Sequence, residues 1–191
     1  MGAYATRTIT IEEYKAITDT IKSGYFHNGK RHKPNPTIAT ILTLQANLGM
    51  RIGDILSLTL NSIVKDGNIY RLDVIEEKTG KKRIYSVPEE VYSFIVNYCT
   101  ENKINPRRRI FQLTTRNVQK TLKEVAEFLS ITDVSTHSFR KFAGNRIYEN
   151  SGYDIEVTRE FYQHSSIAIT QRYIKRTRPQ LEAAIQSSVC L

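Results

Sequence analysis

Apolar residues recur at helical spacing through most of the chain, interrupted by one stretch at strand spacing. Ile11, Tyr14, Ile17 and Ile21 fall three to four positions apart, on one helical face. In front of them, Thr10-Ile11-Glu12-Glu13 has the form of a capping box, in which the Thr10 hydroxyl and the Glu13 carboxylate satisfy backbone N–H groups that a first turn leaves open. The pattern predicts a helix to about Ser23, stopped by Gly24. Residues 1–9 are polar and predict a loose arm, and Gly29 to Pro36 predicts a loop closed by two prolines. From Thr37 to Leu48 the apolar positions (Ile38, Ile41, Leu42, Leu44, Leu48) spread over much of a helix circumference, which predicts a helix central to the core. Gly49 breaks it, and Arg51 to Leu58 restarts a short helix.

Between 62 and 87 the period shortens. Ile63 to Lys65, Ile69 to Ile75 and Arg83 to Val87 alternate at strand spacing, with Asp66-Gly67 as a turn and Lys78-Thr79-Gly80-Lys81 as the next. A three-stranded antiparallel sheet is expected. Pro88-Glu89-Glu90 then opens a helix to about Cys99, with proline and acids suited to a first turn. After a polar loop ending in Arg107-Arg108-Arg109, helices are expected over 114–129, from Thr136 to about Asn150, and briefly after an Asp154 or Thr158 cap. A last amphipathic helix is expected after Pro179 (Leu181, Ala184, Ile185). The fold class predicted is α+β, mainly α-helical, with a small three-stranded sheet.

Composition narrows the chemistry. The 191 residues carry 28 Lys+Arg against 19 Asp+Glu, a net charge of +9, which favours a polyanionic partner. Lys30-Arg31-His32-Lys33 therefore reads as either a solvated loop or one that faces nucleic acid. No apolar run is long enough for a membrane span and no basic-then-apolar stretch is seen, so neither a span nor a leader is expected, and the two cysteines, Cys99 and Cys190, have no metal spacing. A reducing, cytoplasmic setting is expected, without a membrane partner.

Six polar residues stand beside core segments: Arg51, Lys78, His137, Arg140, His164 and Tyr173. Taken singly, Arg51 with Asp54 could be a structural ion pair, Lys78 a turn lysine and His137 a helix-start residue. Together they are equipment for phosphoryl transfer without a metal. Arginine forks grip non-bridging phosphate oxygens and neutralise charge that builds in the transition state. A tyrosine can attack phosphorus and hold it as an ester, given a base or a cationic field. A lysine can protonate the leaving oxygen. A magnesium site would want clustered carboxylates, and none lies beside these cations in the sequence.

The order of these motifs resembles the catalytic domain of the tyrosine recombinases, the phage-integrase family, over roughly residues 8–178. Gly49-Met50-Arg51-Ile52-Gly53-Asp54-Ile55-Leu56 is similar to the first-arginine box, Lys78-Thr79-Gly80-Lys81 to the hairpin lysine, and His137-Ser138-Phe139-Arg140 to the His-x-x-Arg box. His164-Ser165-Ser166 followed by Thr170-Gln171-Arg172-Tyr173 is similar to the box that runs from histidine to nucleophile. The resemblance implies that Tyr173 attacks a DNA phosphodiester to give a 3′-phosphotyrosyl link and a free 5′-hydroxyl, without ATP, metal or cofactor. It implies that Arg51 and Arg140 cradle the phosphate, Lys78 protonates the leaving oxygen, His137 assists proton transfer, His164 bonds a phosphate oxygen and Asp54 buttresses Arg51.

The partners implied are double-stranded DNA, a homo-oligomer of four protomers on paired sites and an accessory DNA-bending protein. The place implied is the nucleoid. Two rival readings are a type IB topoisomerase and a non-catalytic helix-turn-helix regulator built on Thr114–Lys141. The sequence departs from the family pattern at Gln163, where glycine is usual, and at Asp54, where glutamate is frequent. About ten residues precede the first helix, so one catalytic domain over 1–191 is expected, without a separate N-terminal DNA-clamping domain. In length it is similar to the short fimbrial invertases. Residues 179–191 are expected to fold back or to be exchanged with a neighbouring protomer.

Overall fold

The structure is a computed structural model, and it describes residues 6–75, 80, 82–174 and 186–188. The chain divides into two compact units, Met1–Ala143 and Gly144–Leu191.

The first unit begins with α1 (Ile11–Ser23), whose capping box forms as expected: Glu13 N–H donates to Thr10 Oγ1 at 3.2 Å and Thr10 N–H to Glu13 Oε2 at 2.9 Å. Glu13 also takes both Nη groups of Arg7, which holds its carboxyl below the usual carboxylate range. Residues 6–9 are therefore not the loose arm expected of them. Arg7 also donates to Thr132 O, and Ile9 is buried. The expectation for residues 1–5 lies outside the described residues.

The basic loop expected after α1 is also corrected. Tyr25–His27 (β1) and Lys30–His32 (β2) pair there as an antiparallel ribbon. Asn28 and Gly29 both have positive φ (49° and 71°), the two-residue turn that fits the twist of a hairpin. The signal was the Asn-Gly pair, hidden by strands only three residues long. Gly24 sets the ribbon's entry angle: at φ 77°, a Cβ there would lie 2.7 Å from His32 O and 2.8 Å from Pro34 N.

Helix α2 (Pro36–Leu48) is buried over much of its circumference, as its apolar spread predicted, with Thr43 half-buried and Asn47 exposed. It packs on α1 and on α3 (Ile52–Ser57). The strands β3 (Ile63–Asp66), β4 (Ile69–Ile75) and β5 (Lys82–Val87) form the expected antiparallel sheet in the order β3-β4-β5. Asp66 pairs with Ile69, so the turn is Gly67-Asn68, one residue later than expected. Helices α4 (Glu89–Glu101) and α5 (Thr115–Phe128) complete this unit's frame. The division between the units falls within α6 (Thr136–Asn150). The second unit contains α7 (Ile155–Tyr162) and α8 (Ile167–Gln171). The helix expected after Pro179 falls on residues that lie almost wholly outside those described.

Candidate active site

Two of the expected residues are brought together by the end of α2. Gly49 ends that helix in the left-handed region (φ 60°), its N–H bonded to Gln45 O. Its carbonyl accepts a hydrogen bond from Nη1 of Arg140. Arg140 is 1% exposed, and a guanidinium so deeply buried is tolerable only with such acceptors. The buried Gln45 side chain donates to Met50 O at 3.2 Å and fixes the next peptide. Arg51 follows at once, half-buried, as N-cap of α3. The loop that carries Arg51 is thus the same loop that anchors Arg140, although the two are 89 positions apart in sequence. Asp54 is buried in the first turn of α3.

His137 lies half-buried in the first turn of α6. That turn is fixed reciprocally: His137 N–H donates to Ser135 Oγ at 3.1 Å, and Ser135 N–H donates to Ser138 Oγ at 3.2 Å. Phe139, fully buried, and Phe142 pack on Tyr14 at ring separations of 6.2 and 5.4 Å. The face of α6 bearing Arg140 is oriented by apolar contact as well as by its hydrogen bond. Lys78 lies outside the described residues.

In the second unit, His164 and Tyr173 are close, with ring centroids 5.0 Å apart. Both rings also pack on Tyr162, at 4.9 and 5.1 Å. Tyr162 is 1% exposed and lies against Gly144, where a Cβ would meet its hydroxyl at 1.9 Å. His164 Nδ1 is 3.0 Å from Oγ1 of the fully buried Thr170. Tyr173 N–H donates to Thr170 O at 2.8 Å, and Asn145 donates to Tyr173 O at 3.3 Å. The histidine is turned into this cluster by Gln163, which caps α7 in the left-handed region (φ 50°, ψ 43°). Glycine is the easier residue there, so the departure noticed in the sequence puts a side chain where the backbone carries strain. The sequence assigned no role to Gln45, Ser135, Gly144 or Tyr162, and Ser138 and Thr170 entered only as positions within the motifs. The serine pair alone left a readable trace, as polar residues three apart at a helix start.

A sequence model described as the phage integrase family matches residues 7–179. The chain belongs to the phage integrase family. Among curated relatives, the probable integrase/recombinase YoeC of Bacillus subtilis is 29% identical over 133 residues, covering 67% of this chain and 71% of YoeC. The tyrosine recombinase XerC of Caldanaerobacter subterraneus is 22% identical over 194 residues, covering 94% of this chain and 50% of that protein. The chain thus spans about half the length of that Xer relative. Among solved structures, the catalytic domain of bacteriophage HP1 integrase is similar with a TM-score of 0.64 at 18% identity, covering 95% of each chain. The fold is that of tyrosine recombinase catalytic domains, so the fold class read from the sequence holds. Among the described residues, no helix is long and apolar enough to cross a membrane, and no three His, Cys, Asp or Glu side chains form a group that could hold a metal ion.

Proposed function

We infer that this phage-integrase chain is the catalytic portion of a site-specific DNA recombinase. The single observation that carries the reading is the buried Arg140 bonded to the Gly49 carbonyl, two residues from Arg51. Such a pair of guanidiniums, one of them held in the core, is suited to a phosphodiester whose charge grows as it is attacked. The family match over residues 7–179 supports it.

In the proposed chemistry, the Tyr173 hydroxyl attacks phosphorus in double-stranded DNA. The tyrosyl O–P bond forms as the bond to the 5′ oxygen breaks, leaving a 3′-phosphotyrosyl ester. The phenolic proton leaves with help from His137, and the 5′ oxygen takes a proton from Lys78. His164 bonds a phosphate oxygen, and Asp54 supports Arg51. A 5′-hydroxyl from a second strand then reverses these steps. The ester conserves the energy of the broken bond, so no nucleotide is consumed. Strand exchange of this kind calls for four protomers on paired sites, and a DNA-bending protein would help to bring the sites together.

The helix-turn-helix reading is disfavoured by α5 and α6 themselves. Seven residues, 129–135, connect them, where that motif uses a turn of three or four.

The test uses a nicked suicide duplex carrying the chain's own target. Wild type is expected to give a denaturation-resistant protein–DNA adduct, and Tyr173→Phe none. An adduct that survives Tyr173→Phe overturns the assignment. Relaxed circles without recombinant joints would indicate a topoisomerase instead.

A further inference from the structure

The phosphate chemistry gathers near the C-terminal end of α2, yet a second group of cations surrounds its N-terminal end. The β1–β2 ribbon stands immediately before α2 and carries Lys30, Arg31, His32 and Lys33. Alternation along the ribbon gives its two faces different characters. Inward, Tyr25 stacks on His32 at 4.4 Å and on Phe128 of α5 at 4.7 Å, while His32 Nδ1 lies 3.7 Å from Glu124. Burial pushes the Tyr25 phenol up, and Glu124 and Glu127 push it in the same direction. Outward, Phe26 pairs across the strands with Arg31, and Phe26 is 67% exposed. Lys30, Arg31 and Lys33 are exposed, and none takes part in an ion pair among the described residues. At the same end of α2, Thr37 lines a groove of about 840 Å³ with Lys103, Arg108 and Arg109.

We propose that the exposed outer face and turn of the β1–β2 ribbon form a second DNA-contacting surface, gripping duplex backbone away from the phosphate that is cut. Charge complementarity identifies the occupant: Arg31 shares the outer face with the exposed Phe26 ring, the exposed Lys30 stands beside the turn opposite His27 and the exposed Lys33 follows the last strand residue, on a ribbon already rigidified by ring stacking. A two-stranded ribbon is also a shape that a DNA groove accepts. Helix α2 has 13 residues, so its ends lie about 20 Å apart at 1.5 Å per residue. One phosphate cannot serve both ends, and the ribbon must meet a different stretch of polyanion from Arg51. The proposal rests on the DNA reading of the function but not on the cleavage chemistry.

The test compares wild type with Lys30→Gln/Arg31→Gln/Lys33→Gln in binding to long duplex DNA of arbitrary sequence over a range of salt. The slope of log affinity against log salt is expected to fall by roughly 2 to 3, at about 0.9 for each phosphate that is no longer neutralised. A photo-reactive side chain in place of Phe26 is expected to cross-link to the DNA. All three substitutions are at exposed positions, so the thermal midpoint should not move and the variant remains a fair comparison. An unchanged slope with no cross-link overturns the proposal. So does loss of binding to polyglutamate with duplex binding intact, which would make the face a site for an acidic protein. Adduct yield on suicide DNA, at protein concentrations that saturate it, separates the two readings. If wild type forms the adduct and the slope is unchanged, only the ribbon proposal fails. If the slope falls and wild type never forms an adduct, only the recombinase reading fails.

Discussion

The arginine-bearing unit and the tyrosine-bearing unit hold their proposed catalytic groups in opposite ways. Arg140 is sunk in the core and tied to the end of a buried helix, so its position is specified by the same contacts that specify the fold. Tyr173 follows a five-residue helix and is only half-buried, with two ring neighbours, a local bond to Thr170 and one bond from Asn145, 28 positions away. A group that must stabilise charge gains from rigid pre-placement, because no reorganisation is then needed during reaction. A nucleophile that must approach, attack and withdraw is better served by a light support with few long-range ties. Mutational damage should therefore take a different form in each unit.

The largest effect is expected at the rigid end. Arg140→Ala should lower the cleavage rate by about 10²- to 10³-fold, the scale of one missing transition-state donor. It should also lower stability by ~3 kcal/mol, because a buried charged partner has been removed and a cavity left. Arg51→Ala, at a half-buried cap, should lose a similar rate with little stability, and DNA binding should be largely kept in both. Denaturant unfolding beside single-turnover cleavage checks the contrast. Equal destabilisation by the two variants would remove it.

Gly144→Ala comes next. Its methyl group would strike the Tyr162 hydroxyl, so a destabilisation of about 1–3 kcal/mol is expected, with loss of the ring support for His164 and Tyr173. A Cβ there would also lie 2.2 Å from Tyr162 Cζ, so a Tyr162→Ala background, which removes ring and hydroxyl together, should abolish most of the added loss, and an undiminished loss in that background would mean that the clash is not the cause. Thr170→Val is a smaller change. It removes the partner of His164 Nδ1 and should slow cleavage about tenfold, with stability falling by about 1 kcal/mol. Nitrogen chemical shifts of the His164 ring should change with it, and Thr170→Ser should restore both. Gln163→Gly is the mildest. It replaces a side chain in a left-handed turn and should stabilise by a few tenths to ~1 kcal/mol, read as a small rise in thermal midpoint.

Legibility in the sequence follows the same division. Helix α1 was readable because its stop and start signals are local, and α2 because a helix apolar over most of its circumference has one physical destination. The three-stranded sheet was readable from its period. The β1–β2 ribbon was not, since three-residue strands rich in basic residues carry almost no alternation. Arg51, Arg140, His164 and Tyr173 were picked out by chemistry and order. What holds them was not: Gly49 meets Arg140 across 91 positions, and Tyr162 meets Gly144 across 18, through contacts that exist only once the chain is folded. Lys78, expected at the hairpin, lies outside the described residues.

The Gly49 carbonyl also bears on genetics. Gly49 closes the last turn of α2 through its N–H, and its carbonyl holds Arg140 at the same time. Warming that frays this turn would release the guanidinium before the rest of the core gives way. Conditional alleles, active in cool cultures and silent in warm ones, should therefore gather along α2, at Ile41, Leu44 or Leu48, residues that touch no phosphate. A screen for absent recombination would then score packing defects as if they were defects of chemistry.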